Sequence, residues 1–73
     1  MIRKAVLYSE TKQYSFIIER QPNGKPFMYN GYILKVNKDS IIFKDDLITN
    51  EIAILIDSIE TLEPSKRRGK QNE

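Results

Sequence analysis

Few residues in this chain can do covalent chemistry. Serines stand at 9, 15, 40, 58 and 65, but no histidine is present to activate them and no lysine is spaced to act as their base. Cysteine and tryptophan are absent, which removes disulfides, thiolate nucleophiles and many zinc sites together. Asp45 and Asp46 are adjacent carboxylates without further oxygen donors, a weak cation site and a better turn. No glycine-rich phosphate loop occurs. An enzyme is therefore not expected, and no cofactor or metal is implied. What remains is recognition. Lysines and arginines can meet phosphate, and tyrosines at 8, 14, 29 and 32 can stack on a base or fill a core rim.

The charge that would do this is unevenly placed. The chain has 73 residues and a formal net charge of +2. From Met1 to Leu62 eight basic residues (Arg3, Lys4, Lys12, Arg20, Lys25, Lys35, Lys38, Lys44) balance eight acidic ones (Glu10, Glu19, Asp39, Asp45, Asp46, Glu51, Asp57, Glu60). The excess lies beyond, where Lys66, Arg67, Arg68 and Lys70 outnumber Glu63 and Glu73. Ser65 to Glu73 has no apolar residue to bury, so we expect a domain over 1–64 and a disordered basic tail over 65–73. The tail would attract a polyanion by releasing counterions, or simply aid solubility.

The elements that must carry these groups read mainly as strands. Tyr14, Phe16 and Ile18 alternate with Ser15, Ile17 and Glu19, as a half-buried strand requires. Pro22 with Asn23 and Gly24 predicts a tight reversal, and hence a hairpin. Phe27–Val36 is a long apolar segment interrupted by Asn30 and Gly31, the mark of a bulge or sharp bend. Asn37–Ser40 is the next turn, with Asp39 in an Asx-type role and Lys35 and Lys38 straddling it. Ser40–Lys44 is a short strand, Asp45 and Asp46 open a polar reversal, and 50–56 is a further strand. Asp57 and Ser58 connect it to a last strand from Ile59 to Glu63. At the start, Ile2, Ala5 and Val6 favour a short helix, while Lys4–Tyr8 also fits a strand. No apolar run is long enough to span a membrane, and Met1–Tyr8 is too short and too charged for a secretory signal, so a soluble, cytoplasmic protein is expected.

Five evenly spaced strands in so short a chain predict a small bent barrel of SH3 or OB type. A domain of this size, without disulfide or metal, gains stability most readily by assembling with copies of itself. The segment from Ile52 to Ile56 points the same way. Ile52, Ile54 and Ile56 fall on one face and Ala53 and Leu55 on the other, so both faces are apolar where a barrel exterior should be polar. We expect this strand to form an oligomer interface by pairing edge to edge with a neighbouring copy, unless the N-terminal helix covers it.

With that strand order, residues 14–65 resemble the Sm, LSm and Hfq family of small barrels. The resemblance lies in Tyr14–Arg20, in Phe27, Met28, Tyr29, Asn30, Gly31, Tyr32 and Ile33 as the bent second strand, and in Asp39, Ser40, Ile41, Ile42 and Phe43. It ends with Ile54–Leu62 followed by Pro64 and Ser65. It implies an N-terminal helix on a strongly bent five-stranded barrel, assembled as a homo-oligomeric ring of about five to seven subunits that binds single-stranded RNA as a chaperone or scaffold. The implied RNA-binding residues are the pore-facing turns, here Asn37, Lys38, Asp39, Ser40 and Ile41 in one and Ile56, Asp57 and Ser58 in the other. Lys66, Arg67 and Arg68 of the tail would assist. At the second turn Asp57 and Ser58 replace the family's usual Arg-Gly or Lys-His, and an acidic group there repels phosphate. The family's base-contacting Asn falls near Phe43, which alternation directs into the core.

Two alternatives stand beside this. Lys12–Ile17 and Phe27–Tyr29 are also similar to the aromatic motifs of cold-shock domains, which stack bases on an OB barrel, although Gln13 and Ser15 stand where that family has glycine. The neutral body and Asp57 fit a protein-interaction barrel without nucleic-acid binding.

Overall fold

The computed structural model describes residues 1–66; Arg67, Arg68 and the rest of the basic tail lie outside the described residues. The order is α1 (Ile2–Glu10), β1 (Ser15–Arg20), β2 (Pro26–Val36), β3 (Ser40–Asp45), β4 (Ile52–Leu55), a short 3-10 helix η1 (Ile56–Ser58) and β5 (Ile59–Pro64). The five strands form one antiparallel sheet in the order β4-β3-β2-β1-β5. Among the described residues no helix is long and apolar enough to cross a membrane.

The start of the chain is the helix and not the alternative strand. Ala5 is fully buried in the core and Tyr8 packs partly against it. Nine residues are too few to hold a helix alone, and α1 has no acidic residue in its first turn and no basic one in its last. Packing against β2 supplies the stability. Its end is firmly closed: the Gln13 N–H donates to Tyr8 O (3.0 Å) and the Lys12 N–H to Ser9 O (3.3 Å), the paired bonds of a Schellman motif. That motif puts Lys12 in the left-handed region, at φ 56°. Glycine is the usual occupant, and a lysine there costs on the order of 1 kcal/mol.

In the β1–β2 hairpin the Gly24 N–H donates to Gln21 O (2.8 Å), and Gly24 itself takes φ 84°. Asn23 Oδ1 accepts the Lys25 N–H at 2.9 Å, so the Pro-Asn-Gly segment forms the expected reversal. β2 is long because it serves two neighbours. Residues 26–31 pair with β1 and 31–36 with β3, so Gly31 faces Ser15 on one side and Asp45 on the other. A Cβ at position 31 would lie 1.9 Å from the Lys44 carbonyl oxygen, which is why glycine sits at the bend. Beyond it a bulge adds Leu34 to β2 between the pairs Ile33–Phe43 and Lys35–Ile42. Leu34 and Lys35 are consequently both exposed, where strict alternation would turn Lys35 inward.

The expected barrel is not closed. β4 and β5 are the two edges, and neither pairs with the other. They are nevertheless joined by only η1. From Leu55 to Ile59 the chain can reach about 14 Å, whereas the outer strands of a flat five-stranded sheet lie about 19 Å apart. The sheet must curl to make this connection. Its concave side holds the core, with Ile17, Ile41, Phe43 and Ile54 at 0% exposure and Leu62 at 2%. Phe43 is core, as alternation predicts. Tyr29 is core as well (7% exposed) and not a rim residue, because its hydroxyl donates to Glu19 Oε1 at 2.6 Å. Among the described residues no buried side-chain polar atom lacks a hydrogen-bond partner.

Candidate nucleic-acid interface

The two turns singled out in the sequence meet in space. The 37–39 turn is closed by the Asn37 N–H donating to Ser40 O (2.8 Å). The Asp39 carbonyl then accepts the Ile56 N–H at 2.9 Å, which ties this turn to the start of η1. The β3–β4 ladder continues the contact, pairing Ser40 with Leu55 and Ile41 with Ile54. Lys38, Asp39 and Asp57 are exposed, and Asn37, Ser40, Ile56 and Ser58 are half-buried. Ile41 is a correction: its side chain is fully buried in the core and cannot touch a ligand. Asp39 acts through its backbone carbonyl, while the Asx-type role belongs to Asp45. Asp45 Oδ2 accepts the Leu47 N–H (2.8 Å) and Oδ1 the Asn30 N–H (2.9 Å). Asp45 is the last residue of β3 and buried, so the polar reversal begins one residue later than expected.

The proposed interface strand divides into two faces. Ile54 is core and Ile52 and Ile56 pack partly against it, so the Ile54 side chain packs within the domain and only its backbone lies on the open edge of β4. Ala53 and Leu55 point outward, Leu55 at 58% exposure. Helix α1 packs on β2 and does not cover them. The free backbone edge of β4 and the free edge of β5 sit at the two sides of the same curled sheet.

Three clefts on the described surface bear on recognition. One, of about 530 Å³, borders η1 and is lined by Glu19, Arg20, Leu55, Asp57, Ser58 and Glu60 among others. Arg20 is ion-paired with Glu60, which leaves the surroundings of the second turn acidic. A second, of about 510 Å³, is apolar: Tyr14, Phe16, Phe27, Met28 and Leu47 line it, with Asp45, Asp46 and Lys66 at its margin. This brings together the aromatic side chains of the two cold-shock-like segments, except Tyr29. The Tyr14 hydroxyl donates to Asp46 Oδ2, and Ser65 Oγ donates to Asn30 Oδ1 at 2.9 Å. Lys66 thus leaves from the far end of β5, a strand about 17 Å long, and not from the side where the turns meet. The third cleft, of about 450 Å³, lies between the end of α1 and the outer side of β2 and β3, lined by Ser9, Lys12, Tyr32, Ile33, Leu34 and Lys44. Nothing in the residue pattern signals it, because it depends on the turn at Lys12 and the bulge at Leu34.

No group of three or more metal-ligating side chains occurs among the described residues. Comparison with protein-family models, with curated proteins and with solved structures finds no match.

Proposed function

We propose that the chain is a subunit of an Sm-like homo-oligomeric ring that binds single-stranded RNA, acting as a chaperone or scaffold in RNA metabolism. The observation that carries it is the pair of unpaired antiparallel edges, β4 and β5, joined by a three-residue η1 on a curled sheet. Such an arrangement offers each edge to the opposite edge of another copy, a head-to-tail contact that closes into a ring when the rotation permits. Exposed Ala53 and Leu55 on β4 would be covered by that contact. The joined turns, 37–40 and 56–58, would then repeat around the ring, with Lys38 as their cation and Lys66 adding attraction from the other end of β5. Repetition converts a weak contact per subunit into useful avidity.

Light scattering tests the assembly, and an electrophoretic titration against oligo(U) and oligo(A) tests the ligand. A mass of several subunits with a shift that weakens as salt rises is the expected result. A monomer at high concentration removes the ring. A ring that shifts neither oligonucleotide at low salt removes the RNA. The exposed carboxylates of Asp39 and Asp57 at the joined turns favour a protein-interaction module in that event.

A further inference from the structure

The apolar cleft is braced from several directions. Its walls come from four places in the chain: Tyr14 and Phe16 around the start of β1, Phe27 and Met28 on β2, the reversal after β3, and Ser65 with Lys66 just past β5. Hydrogen bonds outside the strand ladders tie these places together. The Asp46 N–H donates to Asn30 O (2.9 Å) and the Ser65 N–H to Tyr14 O (2.8 Å). Ser65 Oγ donates to Asn30 Oδ1, and the buried Asp45 carboxylate accepts the N–H groups of Asn30 and Leu47. A surface held in this way keeps its shape before a ligand arrives, which lowers the entropy lost on binding.

Its chemistry is apolar with a carboxylate at the edge. Phe27, Met28 and Leu47 are 45%, 60% and 93% exposed, so the cleft leaves in water apolar surface that a ligand would cover. The Tyr14 hydroxyl donates to Asp46 Oδ2, which sets an exposed carboxylate beside an aromatic ring. Of the nearby lysines, Lys44 turns its ammonium to the carbonyls of Ile48 (2.8 Å) and Asp45 (3.2 Å), and Lys66 is exposed at the margin. The Asp46 carboxylate attracts a cation and repels phosphate, and the faces of aromatic rings favour cations as well. Together they select a flat cation that stacks on a ring and pairs with a carboxylate. The arginine guanidinium has that shape, and it sheds water more readily than an ammonium. The volume, about 510 Å³, also has room for its methylene stem and a neighbouring peptide unit.

We propose that this cleft binds an arginine side chain on a peptide segment of a partner protein, its guanidinium paired with Asp46 and stacked on the wall of Tyr14, Phe16 and Phe27. The cleft shares no lining residue with the joined turns, so this is a second recognition surface that stands independently of the RNA reading. A heteronuclear NMR titration of the full chain tests it by following the backbone amides of Asn30, Asp46 and Leu47. The probes are a short glycine-serine peptide with one central arginine and two versions with lysine or citrulline in its place. Citrulline keeps the shape of arginine without its charge, so the comparison of peptides needs no variant protein.

The arginine peptide should shift these amides saturably, with the citrulline version weaker by about threefold or more and the lysine version between the two. Asp46→Asn should bring the arginine peptide down to the citrulline affinity and leave the citrulline peptide unaffected. Lys66→Gln should bind at least as tightly as the parent, because it removes a like charge. Glu10→Gln, which removes an exposed carboxylate outside the cleft, should match the parent. Arginine and citrulline peptides that bind equally, or not at all, overturn the proposal. So does an Asp46→Asn loss that is the same for both peptides, since position 46 would then be structural, or an equal loss in Glu10→Gln. Weaker binding in Lys66→Gln overturns the cation, and lysine equal to arginine overturns the stacking. Oligo(U) that displaces the peptide from these amides overturns it as well, by assigning the cleft to nucleic acid.

Discussion

The middle of the sheet and its edges are built to opposite standards. At the middle, Gly31 pairs with Ser15 and Asp45 at once, Ser15 is fully buried, and both Asp45 carboxylate oxygens accept backbone N–H groups. At the edges, β4 and β5 leave one side of their ladders without a partner in the chain, and Leu55 faces outward. The centre is specified so tightly that it fixes the curl. The curl brings the edges within reach of η1, and the edges are what the proposed assembly would use. If this division is right, substitutions at the centre should act on folding, and substitutions at the edge should act on association.

The largest effect belongs to Gly31→Ala. The added Cβ would meet backbone on β3, at 1.9 Å from Lys44 O and 3.0 Å from Asp45 Cα, with no flexible side chain to move aside. We expect a loss of about 3 kcal/mol or more, out of roughly 4 to 11 kcal/mol for a domain of this length. Urea denaturation followed by circular dichroism measures it. A loss under 1 kcal/mol would mean that β3 can shift away and that the bend is not fixed by this contact.

Asp45→Ala should come next. It leaves the N–H groups of Asn30 and Leu47 without their carboxylate, and bonds to a charged acceptor contribute about 1.5 to 3 kcal/mol. We expect a loss of about 2 kcal/mol in the same assay. An Asp46→Ala change, whose carboxylate accepts only the Tyr14 hydroxyl among the hydrogen bonds described and is exposed, should cost well under half as much. Equal losses would erase the distinction between the two aspartates.

That distinction shows what a residue string can and cannot carry. Strand positions are legible where apolar residues recur with a two-residue period, as Ile41 and Phe43 do on β3, and the bend is legible because glycine interrupts an apolar strand. In β1 the pattern marks the wrong face, since Ser15 and Ile17 are buried while Tyr14, Phe16 and Ile18 are only half-buried. The opening segment stayed open between helix and strand because a single buried contact, Ala5, decides it, and that contact comes from β2 and the core. Adjacent aspartates look alike in sequence, yet β3 ends at the first of them. Tyr29 looks like its neighbours Tyr8 and Tyr32 until the strand register brings Glu19 to its hydroxyl. The convergence of the turns through Asp39 and Ile56, the left-handed Lys12 and the bulge at Leu34 all depend on how distant segments align. None leaves a periodic signature.

Tyr29 gives a smaller and pH-dependent effect. Burial first, and then the hydrogen bond to Glu19, push its hydroxyl from the ordinary 10 up to about 12. The folded state thus holds this proton more tightly than the unfolded chain does. Stability from this source is complete below pH 10 and is lost as pH rises from 10 towards 12. Urea midpoints at pH 9 and pH 11 should differ in the parent protein, and the difference should shrink in Tyr29→Phe. An identical decline in both would assign the alkaline limb to other groups.

The smallest effect on folding, and the sharpest test of the comparison, comes from Leu55→Asp. The side chain is 58% exposed on an edge strand, so within one copy its replacement should change stability by no more than about 0.5 kcal/mol. Association is another matter, because a carboxylate placed against a neighbouring edge would be stripped of water without a partner. In the parent, stability that derives partly from assembly makes the melting temperature rise with protein concentration. In Leu55→Asp that dependence should vanish, and light scattering should report a single chain. A parent whose melting temperature stays fixed across a hundredfold range of concentration would show that the edges are tolerated bare, and β4 would then be an end of the sheet and nothing more.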